Sequence, residues 1–91
     1  MPVKVHIPTP LRKLTHDEEI VHITADTVGG AIAELQSRYP GIKERLTDDA
    51  GLVRRFVNVY VNEEDIRFLQ DQETALPDGA EMTIMAATAG G

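Results

Sequence analysis

A chain of 91 residues, 42% of them apolar and 26% charged, can build one folded domain with a modest core and has no room for a deep, enclosed active site. Fifteen Asp and Glu against nine Lys and Arg leave a net charge of −6, the wrong sign for a sequence-independent grip on phosphate backbones or anionic lipid. Without a cysteine, disulfides, a thiol nucleophile, Cys-ligated zinc and iron–sulfur clusters are excluded, and sulfur cannot travel on a side-chain thiol of this chain. The N-terminus lacks the apolar core of a signal peptide, and no apolar run approaches the roughly 20 residues that span a bilayer. The chain therefore reads as cytoplasmic, soluble and complete, with neither nucleic acid nor membrane as a partner.

Val3, Val5 and Ile7 alternate with Lys4 and His6, the period of a half-buried strand, which Pro8 and Pro10 end. A polar, turn-like connection from Leu11 to Glu19 leads to a second alternation, Val21, Ile23 and Ala25 against His22 and Thr24, so the two strands read as a hairpin. The period then lengthens. Val28, Ile32, Leu35 and Tyr39 form one stripe of an α-helix, with Asp26 or Thr27 as its cap and Pro40-Gly41 as its stop. Gly29 and Gly30 are costly in a first helical turn, and close packing of that turn against the sheet is the expected reason for them.

Ile42 to Leu46 predicts a further helical turn, and Thr47 to Gly51 a loop. Phe56 to Val61, rich in β-branched and aromatic residues, is the strongest strand signal in the chain. Asn62 to Asp65 is read as a turn and Ile66 to Leu69 as a short returning strand. Pro77-Asp78-Gly79 is a further turn, and Glu81 to Ala86 the last strand. A sheet with one helix across one face buries a single apolar stripe, and with the first hairpin at the centre and the helix as crossover the layout is an α+β, ubiquitin-like β-grasp. Its sheet is expected to be mixed, with four to five strands and one main helix over residues 1–86, followed by a flexible Gly-Gly tail over 87–91.

Little in this inventory can catalyse. Gly29-Gly30 lacks the spacing of a phosphate-binding loop, and the single serine, Ser37, lies within the helix pattern. The adjacent carboxylates, Glu18-Glu19, Asp48-Asp49 and Glu63-Glu64-Asp65, fall in predicted loops and read as solvated surface. His6 and His22 fall nearly opposite each other if the hairpin centres near Leu14. Without a third ligand they read as polar cross-strand neighbours and not as a metal site. Arg54-Arg55 beside Phe56 falls short of a nucleic-acid face and reads as the start of a strand or a contact for an acidic partner.

What remains is the end of the sequence, Ala87-Thr88-Ala89-Gly90-Gly91. A terminal carboxylate can be activated as an acyl-adenylate and attacked by a nucleophile, provided that it reaches into another protein's site. Glycine has no Cβ and wide φ/ψ freedom, so Gly90 and Gly91, with Ala89 before them, can thread a channel where larger residues clash.

With these residues in place the chain resembles the ubiquitin-like sulfur carriers of the MoaD/ThiS type along essentially its whole length. The resemblance rests on Thr27-Val28-Gly29, Tyr39-Pro40-Gly41, Val59-Tyr60-Val61-Asn62, Leu76-Pro77-Asp78-Gly79 and Ala89-Gly90-Gly91, in that order. It is similar above all to the carriers of actinobacterial-type cysteine biosynthesis, through Met1-Pro2-Val3, Arg55-Phe56-Val57-Asn58 and Glu64-Asp65-Ile66-Arg67-Phe68. Many relatives have one or two prolines where this sequence has Ala86-Ala87, a departure that leaves the stiffness of the tail base and the choice of partner open.

The resemblance implies a protein cosubstrate and not an enzyme, with no bound cofactor. An E1-like adenylyltransferase/sulfurtransferase would spend ATP to adenylate Gly91 and exchange the activated oxygen for sulfur. A PLP-dependent cysteine synthase would then join that sulfur to an aminoacrylate made from O-phosphoserine, and a metalloprotease would release cysteine. Docking is assigned to exposed apolar side chains on the sheet face away from the helix, Phe56, Tyr60 and Met85, in a chain that is a monomer alone. The same tail would serve the small subunit of molybdopterin synthase, a thiamin-pathway carrier or a ubiquitin-like protein modifier, and a non-covalent module would not use it at all.

Overall fold

The computed structural model describes residues 2–86, in which alternating segments assemble into a five-stranded sheet. The strands are β1 (Val3–His6), β2 (Ile20–Ile23), β3 (Val57–Val61), β4 (Glu64–Asp65) and β5 (Glu81–Ala86), in the spatial order β2-β1-β5-β3-β4. β5 runs parallel to β1 and antiparallel to β3. The sheet is mixed, as expected, but its centre is β5 and not the first hairpin, whose β2 forms an edge.

Strand alternation decides what each face carries. Val3, Val5, Val21, Ile23, Val57, Val59, Val61, Met82 and Ile84 point to one side and are buried. Against them lies α1 (Val28–Arg38), which buries Val28, Ala31, Ile32 and Leu35, and behind it α2 (Ile42–Leu46), which buries Ile42 and Leu46. The Thr27 side chain caps α1 by accepting the Gly30 N–H at 3.1 Å. Gly41, at φ 102°, makes the left-handed break between the helices, and the Gln36 amide oxygen spans it by accepting the N–H groups of Gly41 and Lys43.

The structure departs from four further expectations. The polar connection after β1 holds a 3₁₀ helix, Thr9–Thr15, because the two prolines preset its first turn and Leu11 and Thr15 are spaced to reach the core. Gly29 does pack closely, but against the segment after β4 and not the sheet: an added Cβ would sit 3.2 Å from the Gln72 carbonyl oxygen. The return from β3 is immediate. Asn62 and Glu63 both adopt positive φ, the geometry of a two-residue hairpin, so β4 is Glu64–Asp65 and Ile66–Phe68 is a 3₁₀ turn. Finally, the β1–β2 register pairs His6 with Ile20 and His22 with Lys4, so the two histidines share a face without being opposite.

Two substitutions separate the contributions of core and cap. Ile84→Ala, which empties a fully buried place in β5, is expected to lower unfolding stability by about 2–5 kcal/mol. Thr27→Ala is expected to cost about 1 kcal/mol through the lost helix cap. Urea unfolding of the two variants beside the parent chain checks both values and their order.

Candidate functional site at the open sheet face

The face of the sheet away from α1 carries the side chains that the core does not take. Its cross-strand row runs Ile20, His6, Thr83, Tyr60 and Asp65. His6 Nε2 lies 2.8 Å from Glu81 Oε1, which gives this histidine a carboxylate neighbour on the parallel strand. Among the described residues no group of three or more His, Asp and Glu side chains could hold a metal ion, and no buried side-chain nitrogen or oxygen lacks a hydrogen-bond partner. His16 instead faces the Tyr39 ring, with centroids 5.8 Å apart.

The three residues assigned to docking fall on this face and its margin. Met85 is 52% exposed and pairs with Asn58; Tyr60 is half-buried and pairs with Thr83, one pleat repeat away from Met85. Phe56 stands just before β3 rather than in it, and is 57% exposed. Tyr60 and Met85 are diagonal neighbours across two strands, the separation over which long side chains still share a surface. Phe56 borders the end of β5, where Ala86 pairs with Val57 and the described chain stops.

At that end lies an open groove of about 370 Å³, lined among others by Pro10, Leu11, Arg45, Arg54, Phe56 and Ala86. The Arg55 guanidinium lies 6.0 Å from the Phe56 ring centroid, at the outer limit of a cation–π contact. Ala89, Gly90 and Gly91, the residues assigned to sulfur carriage and threading, lie outside the described residues, as does the whole 87–91 tail.

Arg67, met in the sequence only as part of the Glu64-Asp65-Ile66-Arg67-Phe68 motif, organises this corner. The Arg67 guanidinium donates to the carbonyls of Val57 at 2.7 Å, Arg54 at 3.1 Å and Arg55 at 3.4 Å, and to the Asn58 side chain. Asp65 holds it in turn, accepting the Arg67 backbone N–H at 2.8 Å and lying 3.8 Å from the guanidinium. A planar fork with five donors suits such a cluster of carbonyls, which a point-like ammonium does not satisfy. The Asp65-x-Arg67 spacing marks a local turn, but nothing in it points to carbonyls nine or more residues earlier in the chain. Arg67→Ala is expected to destabilise the fold by about 1–3 kcal/mol and to shift the amide resonances of residues 54–58 more than those of α1. Arg67→Lys should restore only part of the loss. A urea titration and a ¹H–¹⁵N correlation spectrum check both expectations.

Comparison with known proteins sets this geometry in a family. The sequence matches the ThiS family over residues 5–91. It is 47% identical over 93 aligned residues to the sulfur carrier protein CysO of Mycobacterium tuberculosis, with the whole of both chains covered. The structure superposes on CysO in the crystal structure of the Amycolatopsis orientalis BexX/CysO complex with a TM-score of 0.91 and 45% identity, covering 98% of this chain and 99% of the other. A more distant relative is the small archaeal modifier protein 3 of Haloferax volcanii, 37% identical over 65 residues that cover 71% of this chain and 70% of that protein. The chain belongs to the ThiS family of β-grasp proteins.

Proposed function

We propose that this chain is a sulfur carrier, a protein cosubstrate rather than an enzyme, and that it supplies sulfur for cysteine synthesis from O-phosphoserine. The observation that carries the reading is the full-length match to a protein named as a sulfur carrier, running through the Gly90-Gly91 end of the sequence. The β-grasp body over residues 1–86 docks, and residues 87–91 act as the arm that presents Gly91. Support for this division comes from β5, whose pairing with two strands anchors the base of the arm at the sheet centre.

In the proposed cycle an E1-like partner binds ATP and the carrier itself holds no cofactor. The Gly91 carboxylate attacks the α-phosphorus, pyrophosphate leaves, and an acyl-adenylate forms. A sulfur nucleophile then adds to the acyl carbon and AMP departs, leaving a thiocarboxylate. That sulfur attacks the aminoacrylate on a PLP-dependent synthase, an S-to-N shift follows, and a metalloprotease frees cysteine and restores the Gly-Gly end. ATP-dependent activation and soluble metabolite partners favour the cytoplasm, with the carrier monomeric between encounters. No helix among the described residues is long and apolar enough to cross a membrane.

The apolar margin formed by Phe56, Tyr60 and Met85 is the proposed docking surface, and exposure of two of the three beside the chain exit favours it. Paired substitution of Phe56 and Met85 by Asp is expected to raise the KM for the carrier in adenylation at least ~10-fold, the loss of one well-packed apolar anchor, with the unfolding midpoint little changed. Deleting Gly91, or adding one residue after it, is expected to abolish sulfur transfer while the urea midpoint stays at the parent value. Normal turnover by either variant contradicts the terminal-carboxylate mechanism.

A second reading, a protein modifier joined through Gly91 to lysines, is favoured by the match to the archaeal modifier. Lysine-linked conjugates in a lysate of the native cells, trapped with a tagged chain, would establish it.

A further inference from the structure

The groove beside the chain exit is basic on a chain that is acidic overall. Arg45, Arg54 and Arg55 all line it, and with Ala86 in the same lining the arginines flank the point where the described chain ends. The Arg54 side chain is spent on the fold, its Nε donating to the Glu44 carbonyl at 3.0 Å. The side chains of Arg45 and Arg55 are exposed and make no hydrogen bond or ion pair within the described residues. Among the described residues, Asp48 is the single carboxylate of the lining. One of its oxygens is already taken by the N–H groups of Ala50 and Leu52, so it is turned into its own loop.

A net charge of −6 repels an acidic protein on the whole, and this basic groove lies where, in the carrier reading, a partner closes around the arm. The Phe56 ring, backed by the Arg55 guanidinium, adds an apolar contact to the same rim. Arg67 fixes the backbone that presents it, through the carbonyls of Arg54, Arg55 and Val57.

We infer that Arg45 and Arg55, with Phe56 between the groove and the sheet face, form an electrostatic collar that seats against Asp and Glu side chains at the mouth of the activating enzyme's tail-accepting channel. The inference deepens the carrier reading above and rests on it. Such a collar orients the approach: acidic surface elsewhere on the carrier is repelled by the same mouth, so the arm is delivered in one orientation. Rim charges of this kind act on the rate of encounter and its salt dependence more than on events after docking.

The test uses the full chain with the E1-like enzyme encoded by the same organism, ATP, and pyrophosphate release as the readout of adenylation. Arg45→Glu/Arg55→Glu is expected to lower kcat/KM for the carrier roughly tenfold or more at about 0.1 M salt, through KM and not kcat. The deficit should shrink as salt rises toward 1 M, where the Debye length falls from about 10 to 3 Å. Arg45→Lys/Arg55→Lys should retain most of the wild-type value. Arg45→Gln/Arg55→Gln should fall between, and it keeps the test decisive if charge reversal disturbs the fold. Wild-type adenylation with the reversed and neutral variants indistinguishable from it at both salt concentrations overturns the collar and leaves the carrier reading standing. No adenylation of the wild-type chain overturns the carrier reading, and the collar with it.

Discussion

The structure depends on the pairing of β5 with two partners at once. Its inward side chains, Met82 and Ile84, are fully buried, and its backbone is bonded to β1 on one side and β3 on the other. Without it the first hairpin and the β3–β4 ribbon are separate two-stranded pieces, and two-stranded pieces are marginal in water. The strand that closes the sheet is also the last element among the described residues. In the proposed carrier reading it anchors the base of the arm that bears Gly91 at the sheet centre.

Two faces with different duties follow from the period of two along each strand. One face, with α1 and α2, is almost wholly apolar and satisfies the need for a core in a short chain. The other carries His6, Thr83, Tyr60 and Met85, side chains that the core does not take. In the proposed carrier reading, fold, docking face and terminus belong to one chain and catalysis to its partners, a division that membership of the ThiS family supports.

Most of the fold was legible because its signals were periodic. The strand alternations, the Val28-Ile32-Leu35 stripe and the Thr27 cap are local patterns with one good solution. Where the reading failed, the deciding contact was distant or depended on backbone geometry that composition does not encode. The order of strands could not be read from β5 itself, since a buried strand looks the same at the centre or near an edge. Ile66–Phe68 has strand-like composition, yet the left-handed Asn62-Glu63 pair completes the hairpin too early for it to join the sheet. Gly29 was recognised as a close approach, but its neighbour, Gln72, lies 43 positions away. Arg67 is the clearest case: its backbone partners are the carbonyls of Arg54, Arg55 and Val57, and no side-chain pattern announces a carbonyl. The place of Tyr60 and Met85 on the open face was legible from strand parity; the basic groove at its margin required the fold to bring Arg45 and Arg55 into one lining.

Whether sulfur travels on the main-chain terminus is decided by the intact mass of the protein isolated from its own cells under conditions that preserve thioacids. A sulfur carrier shows a species heavier by the exchange of one oxygen for sulfur, localised by fragmentation to Gly90-Gly91, and formed from the unmodified chain on incubation with ATP, a sulfur donor and the E1-like enzyme. A terminus that stays a plain carboxylate in the cells and after that incubation would contradict the carrier reading.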